Sequence, residues 1–320
     1  MRRRTALAAL LASPAIASAQ PAGSGGWRPD RPIRIVVPFP PGGSNDVIAR
    51  PLAEKLQLRL GQPVVIENRP GAGGAIGAAQ VAQAAPDGHT LMVTSSSFAA
   101  SAVVQRTPYD AEQSFEPISR LATAPFVVLT NPGFGPRDIQ SLIAFARANP
   151  GRVDYGSSGP GGINHFVTEF FALRAGLRMN HVPYRGMPPA VTDLVAGHIQ
   201  VLITTVASAS GPMRENRVRT IAATAPGGPA GVPVIRDVTG LDYEAAIWWT
   251  LFAPRGLPPE VSRALNAATS AALAEPDIAR IYEGEGARPA PSTPAEFAEA
   301  LRAEIVRFRE VAQAANIRPE

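Results

Sequence analysis

Two short stretches of the sequence combine the residue types that can hold an anion without a charged side chain. One is Phe39-Pro40-Pro41-Gly42-Gly43-Ser44-Asn45-Asp46; the other runs from Gly156-Ser157-Ser158-Gly159-Pro160-Gly161-Gly162 to Asn164-His165. Each follows a short strand-like run and leads into a helical stretch. Glycine lets the main chain approach a ligand closely. A helix N-terminus presents unpaired N–H groups and a partial positive charge, and the combination is an anion site. Each N–H bond to a carboxylate would contribute roughly 1.5–3 kcal/mol. Either loop alone reads as an ordinary strand-to-helix turn. Two of one type, at the strand ends where open α/β sheets bind ligands, point to binding.

Other chemistry finds less support. Gly71-Ala72-Gly73-Gly74-Ala75-Ile76-Gly77 lacks the last glycine of a dinucleotide fingerprint, because Ile76 stands there, and it follows the second strand rather than the first. Tight helix–strand packing is the better account. Ser158 is not in a G-x-S-x-G elbow. The chain has no cysteine, and His89, His165, His181 and His198 are scattered without metal-ligand spacing. His165, at the start of the helix after the second loop, reads equally as a cap or packing residue and as a donor to a bound carboxylate. Asn45 and Asp46 read first as N-cap residues. Trp248 and Trp249 read as core or cleft wall. No metal or other cofactor is expected.

The elements that would position these loops alternate strand and helix. Ile33–Pro38 is a strand, a helix runs to about Leu60, and strands follow at Val64–Ile66 and Leu91–Val93, with an Ala-rich helix between. The alternation restarts at Phe126–Leu129, with a helix at Asp138–Ala148, a strand near Val153–Tyr155 and a helix at Asn164–Ala175. Further strands are expected at Met179–Val182, Val201–Thr204 and Thr220–Ala223. This is an α/β fold with mostly parallel sheets flanked by helices. Near the C-terminus Thr293-Pro294-Ala295-Glu296 is a capping box, and Phe297, Leu301, Ile305, Phe308 and Ala312 mark an amphipathic helix packed on the first unit. Pro51 falls inside the first helix and predicts a kink or a late helix start.

The N-terminus reads as a secretory signal. Arg2-Arg3-Arg4 precedes the apolar stretch Thr5–Ile16, and Ala17-Ser18-Ala19 supplies a cleavage site. Removing residues 1–19 lowers Lys plus Arg from 30 to 27 against 26 acidic residues, so the mature chain is near +1 rather than +4. No basic field remains for nucleic acid or anionic lipid. No other segment has ~18 uninterrupted apolar residues, so no membrane insertion of the mature chain is expected.

The sequence also resembles a known family. Pro32-Ile33-Arg34-Ile35-Val36-Val37-Pro38-Phe39-Pro40-Pro41-Gly42-Gly43-Ser44-Asn45-Asp46 is similar to the opening motif of the Bug receptors, the substrate-binding proteins of tripartite tricarboxylate transporters. The resemblance continues in Val65–Gly74, Ala85–Gly88, Tyr155–Gly159, His181-Val182-Pro183-Tyr184-Arg185-Gly186 and Leu251–Pro254. It implies a two-lobed periplasmic-binding-protein fold, of the Venus-flytrap, type II-like kind. Residues 1–19 would be the signal peptide and 20–31 a flexible leader. Lobe 1 would take 32–124 plus 248–320, and lobe 2 would take 125–247. Carried over by position, the carboxylate site would comprise Phe39, Gly42, Gly43, Ser44 and Asp46 with Ser157, Ser158, Gly159, Gly161, Gly162 and His165. Tyr184 would line the cleft. Thr204 and Thr205 stand where family members often carry an acid, which implies a ligand without an amino group.

The expected function is that of a monomeric periplasmic receptor that closes on a small organic acid, about crossovers near Thr123–Pro125 and Ala245–Trp249, and delivers it to membrane transporter subunits. A receptor for a two-component sensor kinase would have the same sequence features. An exported hydrolase using Ser158 and His165 is the remaining alternative.

Overall fold

The computed structural model describes residues 26–284 and 286–317. The expected signal peptide and residues 20–25 of the leader lie outside them. The rest of the expected flexible leader is seated on the fold. Trp27 packs edge-on against His89 with ring centroids 5.7 Å apart, and Arg31 pairs with Asp87 at 2.7 Å.

The chain opens with β1 (Ile33–Val37), α1 (Ser44–Leu60), β2 (Val64–Asn68), α2 (Ala75–Ala82), β3 (Thr90–Ser95) and α3 (Ser96–Val104). A long strand, β4 (Phe115–Thr130), carries it onward. Next come α4 (Ile139–Ala148), β5 (Asp154–Ser157), α5 (Ile163–Ala175), β6 (Asn180–Pro183), α6 (Met187–Ala196), β7 (Val201–Thr205), α7 (Val206–Arg214), β8 (Arg219–Ala223) and α8 (Ile235–Thr239). The chain returns along β9 (Ala246–Pro254) and ends with α9 (Pro259–Leu273), α10 (Pro276–Gly284), β10 (Arg288–Pro289) and α11 (Pro294–Ala314). No helix among the described residues is long and apolar enough to cross a membrane.

The strands make two sheets that share β4. The first runs β2-β1-β3-β9-β4-β10 and the second β8-β4-β7-β5-β6. The expectation of mostly parallel sheets needs correcting. β1 is parallel to β2 and β3, and β5 to β6 and β7. Every pairing made by β4 is antiparallel, as is β3 with β9. The reason lies in the connectivity: helix crossovers return a strand parallel, whereas β9 brings the chain back from the second sheet in the opposite sense. The expected crossovers lie within this exchange. Thr123, Ala124 and Pro125 of β4 pair directly with Trp248, Ile247 and Ala246 of β9.

Apolar side chains on β1, β3, β9 and the first half of β4 form, with α1, α3, α5 and α11, one continuous buried core. α11 starts at the predicted capping box, with Glu296 N–H donating to Thr293 and Thr293 N–H to Glu296. It buries Phe297, Leu301, Ile305 and Phe308. It also reaches the second unit, because Phe308 packs on Phe166 of α5 at 5.0 Å. On the same helix the buried Glu304 carboxylate accepts the Trp248 indole N–H. Pro51 does not delay α1, which starts at Ser44 and passes through it. Its ring is buried, and the start of the helix is fixed by the loop before it.

Candidate functional site

The first loop is held from behind by Asp46. This carboxylate, 3% exposed, accepts the Gly42 N–H at 2.9 Å, the Arg50 Nε–H at 2.8 Å and the Arg50 Nη2–H at 2.9 Å. Asn68 Nδ2 donates to Asp46 at 3.0 Å and to the Phe39 carbonyl at 3.1 Å, which ties the loop to β2. Burial pushes the Asp46 carboxyl up, but the hydrogen bonds from Arg50, Gly42 and Asn68 outweigh it and hold the group below the usual carboxylate value. Gly42 takes φ +77°, which turns the chain so that Gly43 caps α1; the Asp46 N–H returns to the Gly43 carbonyl at 2.9 Å, and the Ser44 and Asn45 N–H groups precede the first helix acceptor.

The second loop rests on a ring column. Ser157, fully buried, meets His181 Nε2 at 2.6 Å and accepts the Gly159 N–H at 3.1 Å. His165 Nδ1 accepts the Gly161 N–H at 3.2 Å. Burial first, and then the neighbouring His181, lower His165 to about 4; burial lowers His181 to about 4 as well. Both rings are therefore neutral near neutrality.

A cavity of about 560 Å³ lies between the loops. Phe39, Gly42, Gly43 and Ser44 line it from the first sheet's side, and Ser158, Thr204 and Thr205 from the other. The remaining candidates do not reach the wall. Asp46, Ser157, Gly159, Gly161, Gly162 and His165 stand behind it, where their hydrogen bonds shape the loops. Tyr184 donates its hydroxyl to Asp193 at 2.7 Å instead of lining the cavity. Burial and this bond raise its phenol above the ordinary value. The Ser158–His165 couple that hydrolysis would need is not formed: Ser158 Oγ faces Asn164 at 3.4 Å, and His165 Nδ1 is occupied by Gly161.

Three further helix starts complete the wall. α3 brings its cap Ser95 and Ser97, α6 brings Met187 and Pro188, and α7 brings its cap Thr205 and Ser208. With α1 and α5, the first turns of five helices face one space. The Ser95-Ser96-Ser97 run directly after a strand was the available signal for α3. Among the described residues no Asp, Glu, Lys, Arg or His side chain lines the cavity. Phe126, Ile163 and Ile247 supply apolar surface. The arrangement can stabilise negative charge through main-chain dipoles and hydroxyls and gives no counter-ion to a cation. Among the described residues no group of three or more His, Cys, Asp or Glu side chains is placed to hold a metal ion.

Residues 48–317 match the family described as the tripartite tricarboxylate transporter family receptor. The chain is 36% identical to the protein BugT of Bordetella pertussis over 286 residues, covering 88% of each. Among solved structures it is similar to an R. palustris protein with adipate, at 32% identity and TM-score 0.79, over 91% of this chain and 99% of the other. It is also similar to MatC from Rhodopseudomonas palustris with bound malate, at 30% identity and TM-score 0.73, over 88% and 99% of the two chains.

Proposed function

The chain belongs to the tripartite tricarboxylate transporter receptor family, and from that premise we propose that it is an exported periplasmic receptor that captures a small organic dicarboxylate and presents it to membrane transporter subunits. The observation that carries this reading is the neutral cavity faced by the first turns of five helices. α1 and α3 approach from one lobe and α5, α6 and α7 from the other, so partial positive charge stands on both sides of a ligand. A molecule with a carboxylate at each end suits that field. An ammonium group would meet the same helix ends without an acid to pair with. The solved relatives with adipate and malate hold ligands of this kind. Capture would close the lobes about the β4–β9 pairing at Thr123–Pro125 and Ala246–Trp248, a hinge of two hydrogen-bonded strands.

Mass spectrometry of small molecules released from the purified protein, followed by calorimetric titration of a dicarboxylate series, tests the reading. A dicarboxylate bound in one-to-one ratio is the expected result. Preference for aspartate or glutamate over the matching dicarboxylates, or binding of no carboxylate at all, would refute it.

A further inference from the structure

Most of the polar side chains that line the second lobe's part of the cavity are already engaged by the protein. Thr205 and Ser208 share a hydrogen bond at 2.9 Å, Asn164 donates to the Ile203 carbonyl at 2.8 Å, and Ser158 reaches Asn164 at 3.4 Å. Two lining residues differ. Asn45 is 6% exposed and Thr204 fully buried, and each carries a buried polar atom, Oδ1 and Oγ1, without a partner among the described residues. Both line the cavity. They come from opposite sides: Asn45 from the first turn of α1, and Thr204 from β7, where it pairs with Val127.

A buried polar group left unpaired costs roughly 1–3 kcal/mol, so the two atoms select for what can satisfy them. A carboxylate only accepts hydrogen bonds and is served by the helix N–H groups. An amide oxygen needs a donor, and a threonine hydroxyl both donates and accepts. A ligand hydroxyl has the chemistry for both demands: its proton suits Asn45 Oδ1 and its lone pair suits the Thr204 proton. We propose that Asn45 and Thr204 form a hydroxyl-recognition pair, so that the receptor selects hydroxy-substituted dicarboxylates over unsubstituted ones of the same length. This inference rests on the reading of the cavity as a dicarboxylate site.

Calorimetric titration with three matched pairs tests it: succinate and malate, glutarate and 2-hydroxyglutarate, adipate and 2-hydroxyadipate. The hydroxy acid of at least one pair binds the wild type ~10-fold or more tightly than its partner, in the way that sites built around a hydrogen bond reject the analogue that lacks it. Thr204→Val, close in shape, lowers the affinity for the hydroxy acid about five-fold or more beyond any change for the unsubstituted acid, so the preference is lost. Thr204→Ser keeps the preference and supplies the comparison if the valine variant does not fold. Equal binding within every pair, or equal weakening of both members by Thr204→Val, overturns the inference and leaves the dicarboxylate reading intact. Failure of all six acids to bind overturns both.

Discussion

His165 and His181 stack ring on ring, with centroids 3.8 Å apart and planes 16° from parallel, although one begins α5 and the other lies on β6. Tyr155 continues the column, 5.1 Å from His181, and its hydroxyl donates to Glu169. The second cavity loop is built on this column through the Ser157–His181 and Gly161–His165 hydrogen bonds.

The column predicts an acid-sensitive loop. Both imidazoles are held at about 4 from an ordinary 6.5, so between these values the unfolded chain binds more protons than the fold. Their contribution to stability is full above pH 6.5, is lost as pH falls towards 4, and is level below that. Protonation of His165 also removes the acceptor for the Gly161 N–H. The Glu169 and Glu304 carboxyls, raised by burial, titrate with the opposite sign, so the readout is the difference from a variant. Thermal melts of the wild type and His181→Phe between pH 7 and 4 should show the smaller loss in the variant. Parallel curves would remove the histidines from the account.

Asp46 predicts an effect on binding from a residue that does not reach the ligand. Asp46→Ala frees the Gly42 N–H and takes one acceptor from each of Arg50 and Asn68, at a cost of about 1–3 kcal/mol. The melting temperature should fall by several degrees, and dicarboxylate affinity by more than the stability loss alone would cause, because the loop before α1 loses its anchor. Asp46→Asn should be intermediate in both. Calorimetry beside melting measurements separates the two effects.

Gly161 predicts a steric limit on how closely the lobes meet. A Cβ there would lie 2.4 Å from Val104 Cγ2 at the end of α3. Gly161→Ala should weaken dicarboxylate binding about ten-fold, since roughly 1.4 kcal/mol of hindered closure corresponds to that factor. Val104→Ala in the same chain should restore much of the affinity. The part left unrestored reflects the left-handed backbone at φ +68°, worth about 1–2 kcal/mol for a residue with a Cβ. No recovery in the double variant would show that backbone strain alone is responsible.

Legibility in the sequence followed the range of the interactions concerned. The Thr293–Glu296 capping box is a local device and is made as its spacing says. The two loops were legible for the same reason: glycine, serine and a following helix are a local pattern. The inward turn of Asp46 depends on Arg50 and Asn68 together, and Asn68 belongs to another strand. The histidine column was hidden because it arises from parallel pairing, which sets Tyr155 opposite His181. β4 was read only from Phe126 onward, since Glu116, Pro117, Arg120 and Pro125 break its apolar pattern. It is extended there because β9 pairs along its whole first half.

That shared strand also bears on the order of assembly. The second sheet draws its strands from one unbroken interval, between Phe126 of β4 and Ala223 of β8. The first sheet stays incomplete until Phe252 has returned to lie beside Met92, a closure across the whole intervening lobe. Loop-closure entropy and the slowness of long-range pairing therefore favour the inserted lobe forming early. The enclosing lobe would then form last, with the β4–β9 seam as its final piece.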